Sequence, residues 1–347
     1  MPPVVTRTLL ERLPKAELHC HLDGSVRPGT LLELGREYGV RMPRDDPEAL
    51  AGYMLASDAH SLEEYLTRFD ITLSVMQTAD AIERIAFELA EDAAREGVWY
   101  LETRFAPVLN TRQGLAPEAT VEAAMRGLRR AERAHGIVGR VIVCALRTLP
   151  PEVSLDLARL AVSCRADGVV GFDLAGAERG HPATAHIEAF RWARAHDLPC
   201  TCHAGEGDGS ASVREAVHAC CVHRVGHGTR LIEDADLTDF VNDRRIPLEI
   251  CLTSNVQTNA ADSYESHPLR AYVDRGLNVV LNTDNRLVSG TTLTDEYEHA
   301  ARLGLGFDEL CRIALNGFES AFLPWADRLR LLRRVRAQID QLSASVR

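Results

Sequence analysis

The sequence predicts an α/β fold, a (β/α)8 TIM barrel with extra helices after the first strand and at the C-terminus, and three observations predict it. Short runs rich in aliphatic, β-branched and aromatic residues alternate with helical patterns, giving eight strand segments between residues 17 and 284. Several of these runs, residues 138–146 above all, are nearly all aliphatic, which suits parallel strands covered on both faces. The histidines and carboxylates that do not suit a core come at the C-terminal ends of the runs, where such barrels carry their sites.

Taken in order, residues 16–22 alternate apolar and polar types as a strand does, and Asp23-Gly24-Ser25 breaks them. Residues 28–39 have helical spacing, with Pro28 in the first turn and Gly39 at the end. The insertion over residues 40–60 is irregular and sits after the first strand, where a barrel places either a lid or surface helices. From Ser61 two long helical patterns follow, with Asp80 as N-cap of the second and Gly97 as its stop. Strands are expected at residues 98–105, 138–146, 169–176, 198–203, 224–228, 246–252 and 277–282. Helices are expected at residues 117–135, 151–166, 183–196 and 212–220. Residues 294–303, 308–322 and 325–342 read as further helices packed outside the barrel.

The composition, 46% hydrophobic and 26% charged over 347 residues, is that of a globular protein with a full core. Length alone suggests two domains, but barrels often exceed about 250 residues as one, and no compositional shift or linker divides residues 1–347. A formal net charge of -11 with no basic patch argues against a nucleic-acid surface and leaves a small molecule as the expected partner. Nine cysteines without Cys-x-x-Cys spacing read as reduced thiols. With no leader-like apolar segment and no run of about 18 apolar residues, the expected location is cytoplasmic.

The residues that carry chemistry begin with His19 and His21. Side chains two apart on a strand project to the same side, so both imidazoles can meet one cation. His203 and Glu206 follow the fifth expected strand, His227 the sixth and Asp284 the eighth. Each has an ordinary reading alone: His203 as a hydrogen-bonded core residue, Glu206 as a solvated loop carboxylate, His227 as part of a turn, Asp284 as a cap. Together, at one rim, they point to a metal site, since three imidazoles and a carboxylate suit Zn²⁺ and leave a position for water. Zinc would lower that water's pKa from about 15.7 toward ~7, providing hydroxide at neutral pH. His60, His135, His196 and His299 fall in helical patterns, and His181, His186, His218, His223 and His267 lack a strand-end position, so all are read as surface or packing residues. Cys20 and Cys202 neighbour ligand positions by one residue and should point into the core.

Leu13-Pro14-Lys15-Ala16-Glu17-Leu18-His19-Cys20-His21-Leu22-Asp23-Gly24-Ser25, Asp173-Leu174-Ala175-Gly176, His203-Ala204-Gly205-Glu206, Arg224-Val225-Gly226-His227-Gly228, Cys251-Leu252-Thr253-Ser254-Asn255 and Asn282-Thr283-Asp284 resemble, in order, the adenosine deaminase family of the amidohydrolase superfamily. The resemblance covers nearly the whole chain. It implies hydrolytic deamination at C6 of a purine nucleoside with one zinc per chain, giving inosine and ammonia from adenosine, in purine salvage. It assigns zinc to His19, His21, His203 and Asp284, and catalysis to Glu206, His227 and Asp284. Glu206 would protonate purine N1, His227 would orient the attacking water and stabilise developing charge, and Asp284 would take the water's proton. His21, Asp23, Gly176 and Asn285 would contact substrate, with Asp23 accepting from the ribose 5′-hydroxyl and the Gly176 N–H reaching N3. Many members have Asp-Pro where this chain has Asn285-Arg286; an amide can donate to purine N7 without needing a protonated carboxyl. Relatives acting on free adenine resemble one another in a Glu at the Asp23 position, so Asp23 favours a nucleoside. The competing expectations are another 6-aminopurine, adenine or aminodeoxyfutalosine; a non-catalytic nucleoside-binding barrel; and a different hydrolase carrying two metals, against which the lack of a bridging lysine argues.

Overall fold

In the computed structural model, which describes residues 5–56 and 61–346, eight parallel strands form the frame. They are β1 Lys15–His21, β2 Val98–Phe105, β3 Val138–Leu146, β4 Val169–Ala175, β5 Thr201–Ala204, β6 Arg224–His227, β7 Leu248–Ile250 and β8 Val279–Leu281. Neighbours in sequence are neighbours in space, β1 through β4 and β5 through β8. Bridges Phe172–Cys200 and Cys20–Asp284 join these two runs at both seams, so the sheet closes into the expected barrel.

The strands form where β-branched and aromatic side chains concentrate, and Val141, Val143 and Ala145 of β3 are fully buried. Helices cover the outside. Gly127 lets helix Pro117–His135 lie against helix Ala79–Arg95, because a Cβ there would come within 2.2 Å of the Glu83 carbonyl oxygen. Among the described residues no helix is long and apolar enough to cross a membrane.

Several boundaries differ from the sequence expectation. Helix Ala79–Arg95 is capped by Thr78, not Asp80: Thr78 has extended backbone (φ -125°) and its hydroxyl accepts from the Ala81 N–H. Asp80 lies in the first turn, where its charge faces the positive end of the helix dipole. The first long helix expected from Ser61 is two short ones, Leu62–Leu66 and Phe69–Leu73. The Thr67 hydroxyl donates to the Glu64 carbonyl at 2.7 Å and Arg68 N–H bonds back only three residues, to Tyr65, which interrupts the α-helical ladder. The 40–60 insertion holds a helix, Pro47–Met54, capped by Asp46, and its residues 57–60, His60 included, lie outside the described residues. The helix expected at 212–220 is α-helical only over Ser210–Arg214 and widens to a π-helix at Glu215–Ala219. β7 and β8 are shorter than expected because helix Leu252–Gln257 starts straight after Cys251 and Asp284 turns the chain. Helix Arg7–Arg12 was not expected at all; Thr6 caps it.

Candidate active site

β1 sets the first two imidazoles. His19 and His21 share a face, while Cys20 between them is fully buried on the other side, as is Cys202 beside His203 on β5. Register pairs His203 with Gly226 and Ala204 with His227. Gly226 is there for space, since a Cβ would come within 3.2 Å of the His19 ring and 3.1 Å of the His203 backbone. His227 and Asp284 end β6 and follow β8 with φ of 59° and 61°, a left-handed conformation costly for residues with side chains. Asp284 holds it through backbone bonds on both sides, donating to His19 O at 3.0 Å and accepting from His21 N at 2.7 Å.

These elements bring His19, His21, His203 and Asp284 together, with one nitrogen or oxygen of each within 4.8 Å of all the others, in an arrangement that could hold a metal ion. His21 Nε2 faces His203 Nε2 at 3.1 Å, and Asp284 Oδ1 lies 3.3 Å from His19 Nε2 and 3.4 Å from His21 Nε2. The far sides of the rings are anchored: His19 Nδ1 contacts Glu249 at 2.8 Å and His203 Nδ1 contacts Asp173 at 3.1 Å. Carboxylates there accept Nδ1–H, which turns the Nε2 lone pairs inward. Among the described residues the buried Nε2 of His19 has no hydrogen-bond partner. An unpaired buried nitrogen beside two facing imidazoles and a carboxylate is costly unless a cation completes it, so the donor set fits a zinc-like ion.

Charge follows burial. Desolvation pushes His21 and His227 well below the usual histidine range, and His203 below it, so these rings are neutral. Burial would raise Asp284, but the facing His19 and the neighbouring imidazoles hold its carboxyl down as an anion. Glu206 goes the other way: burial, then the charges of Asp284 and Glu178, push it well above the usual carboxyl range. Glu178 accepts the backbone N–H groups of Gly205, Glu206 and Gly207 at 2.7, 3.0 and 2.8 Å, which fixes the loop carrying Glu206. Glu206 Oε2 lies 3.4 Å from His227 Nε2.

A cavity of about 240 Å³ opens above this cluster. His21, Asp23, Gly176, His203, Glu206, His227, Asp284 and Asn285 all line it, whereas the fully buried His19 does not. Desolvation lifts the Asp23 carboxyl to about 7, and its Oδ1 is buried without a partner among the described residues. Gly176 adopts φ 92° in the wall. Asn285 donates to Tyr65 Oη at 2.8 Å, so one amide N–H is already engaged. The roof is apolar, from Leu62, Leu66, Phe69 and Leu73. None of residues 40–56 lines the cavity, so the wall above it comes from the helices after Ser61 and not from the described part of the insertion.

Sequence reasoning missed Glu249, gave His267 no role in the site, and quoted Asp173, Ser254 and Asn255 without roles. Glu249 had a signal, a lone carboxylate inside an apolar strand. Ser254 Oγ donates to Asp284 Oδ2 at 2.6 Å, and Asn255 Nδ2 lies 2.9 Å from His227 Nδ1. His267, read as packing, is buried and its Nε2 lies 3.1 Å from Asn255 Oδ1. The other seven described histidines outside the cluster stay outside it.

Comparison with known proteins gives the family. The adenosine deaminase family model matches residues 14–338. An adenosine deaminase of Mycobacteroides abscessus is 42% identical over 342 residues, covering 93% of this chain and 94% of that protein. Among solved structures, an adenine deaminase of Arthrobacter aurescens superposes with a TM-score of 0.88 at 27% identity, covering 94% of this chain and 99% of that one. An amidohydrolase of Burkholderia ambifaria with bound Zn gives 0.88 at 26% identity, covering 100% and 98%. With the match running almost end to end, the chain belongs to the adenosine deaminase family and is a hydrolytic deaminase.

Proposed function

We propose that the protein is a zinc-dependent adenosine deaminase that converts adenosine and 2′-deoxyadenosine to inosine and deoxyinosine with release of ammonia. The observation that carries this reading is the buried Glu206, pushed toward its protonated form, facing His227 at 3.4 Å beside the four-donor cluster on the floor of an apolar cavity. His19, His21, His203 and Asp284 would hold zinc, which when bound lowers the pKa of a water from about 15.7 toward ~7 and so supplies hydroxide at neutral pH.

The chain's own residues do the rest. Water adds to C6 as N1 gains a proton, and the proton that the water gives up passes on to N6. The C6–N6 bond then breaks to release ammonia, and the C6 hydroxyl becomes the carbonyl by giving up its proton, which replaces the one lost to N1. Protonated Glu206 gives the proton to N1, which makes C6 more electrophilic. Asp284, an anion at this pH, accepts the proton of the attacking water, and His227 orients that water and stabilises the oxygen's developing charge. The Gly176 N–H reaches N3, the remaining Asn285 amide N–H reaches N7, Asp23 accepts from the 5′-hydroxyl, and His21 borders the base. Leu62, Leu66, Phe69 and Leu73 exclude water from above. None of these contacts reads the 2′ position, which is why both sugars are accepted.

Nine unpaired cysteines and a formal charge of -11 support a cytoplasmic enzyme acting on a small molecule. A second reading, adenine as substrate, draws on the likeness to the Arthrobacter aurescens adenine deaminase. A panel of adenosine, 2′-deoxyadenosine, adenine and aminodeoxyfutalosine ranked by kcat/KM separates them. Adenosine is expected first, and a preference for adenine would overturn the proposal.

A further inference from the structure

Behind His227, on the side away from the cavity, three hydrogen bonds run in series. The Leu269 N–H meets His267 Nδ1 at 3.0 Å, His267 Nε2 meets Asn255 Oδ1 at 3.1 Å, and Asn255 Nδ2 meets His227 Nδ1 at 2.9 Å. All three side chains are buried, Asn255 and His227 completely. The Asn255 backbone is itself pinned, its N–H donating to Cys251 O at 2.8 Å and its carbonyl accepting from Ala261 at 3.0 Å.

We propose that this chain makes Asn255 and His267 positioning residues that lock His227 in the tautomer with its proton on Nε2, so that His227 meets the reacting centre as a hydrogen-bond donor. The assignment follows from direction alone. A backbone N–H can only donate, so Nδ1 of His267 is a lone pair and its proton sits on Nε2. Burial pushes His267 down to about 3, which keeps the ring neutral and that lone pair free. Nε2–H then requires an acceptor, which turns the Asn255 oxygen toward His267 and its NH₂ toward His227. An amide NH₂ is a donor only, so His227 Nδ1 accepts and the ring's one proton lies on Nε2, 3.4 Å from Glu206. The reverse amide orientation would set a donor against a donor at Leu269 or at His267. A peptide N–H two residues beyond His267 thereby decides the protonation geometry of a ring in the active site.

This inference rests on the reading of His227 given above and fails separately from it. The tautomers are read directly from two-bond ¹H–¹⁵N spectra of the zinc-loaded enzyme carrying ¹⁵N-histidine, with the His227 signal identified by its loss in His227→Gln. Both His227 and His267 are expected as neutral rings protonated at Nε2. Asn255→Asp keeps the shape but offers an acceptor to both rings, so the His227 proton is expected to move to Nδ1. With the donor then turned away, kcat is expected to fall on the order of 10²-fold or more while KM changes by less than about threefold. A wild-type His227 protonated at Nδ1 overturns the proposal without any variant needing to fold. So does an Asn255→Asp enzyme whose tautomer and kcat are both unchanged. If wild-type enzyme shows the stated tautomers but leaves adenosine intact, the substrate assignment falls and the hydrogen-bond chain stands.

Discussion

Two polar regions share the barrel, one at its rim and one in its lumen, and they are built on opposite principles. In the lumen the charges are matched: Arg104 bonds Asp173 and Glu249, each at 2.9 Å, and Arg224 bonds Glu249 and Glu102, each at 2.6 Å. All five side chains are buried, and burial of this kind is tolerated only because each charge meets an opposite one. At the rim the pattern inverts. Nε2 of His19 and of His227 are buried without hydrogen-bond partners among the described residues, and His21 and His203 turn their nitrogens toward each other. The lesson lies in the two carboxylates that belong to both regions. Glu249 and Asp173 bond arginine below and a histidine above, so the satisfied lumen aims the unsatisfied rim. Burial alone would neutralise both acids, but for Glu249 the charges of Arg104 and Arg224, and for Asp173 the contact with His203 and the charge of Arg104, keep them well below the usual range and able to hold the rings.

If the rim does the chemistry and the lumen only supports it, damage to each must look different. Replacing Glu206 by Gln at the rim is expected to lower kcat by about 10³-fold while metal content and unfolding midpoint stay those of the parent, since only the donated proton is lost. Activity within tenfold of the parent would remove Glu206 from its assigned role. Arg104→Met in the lumen strands Asp173 and Glu249 without their shared cation and is expected to cost about 3–5 kcal/mol of stability in denaturant unfolding. A loss under about 1 kcal/mol would mean that the lumen does not depend on that pairing. The smallest effect belongs to a residue that spans both regions. Asp173→Asn keeps the shape but weakens the contact with His203, and zinc affinity measured against a competing chelator is expected to drop about 10- to 100-fold. Unchanged affinity would show that the lumen does not aim the rim.

How far each region was legible depends on the range of the interactions that made it. His19 and His21 could be placed on one face because strand alternation is local. The eight strand–helix units were legible for the same reason, and the closed barrel followed from them. Where neighbouring residues compete, local pattern misjudged the winner: Thr78 and Asp80 both suit a helix start, and only the backbone angle at Thr78 decides. The two short helices after Ser61 turned on a single hydroxyl, that of Thr67, reaching back to a carbonyl. Asn285 could be recognised as a departure from the usual acid, but not that Tyr65 would hold its amide from 220 residues away.

The amino-acid order by itself determined the alternation of elements, the polarity of the strand ends and the identity of the donors gathered there, because periodicity and residue chemistry act over a few positions. Tertiary structure decided which donors face inward and which hydrogen each can offer. Glu249 reaches His19 across 230 residues, and the Leu269 N–H acts on His227 only through His267 and Asn255. Such contacts exist only after the barrel has closed, for a hydrogen bond has a direction and a partner that no spacing along the chain encodes.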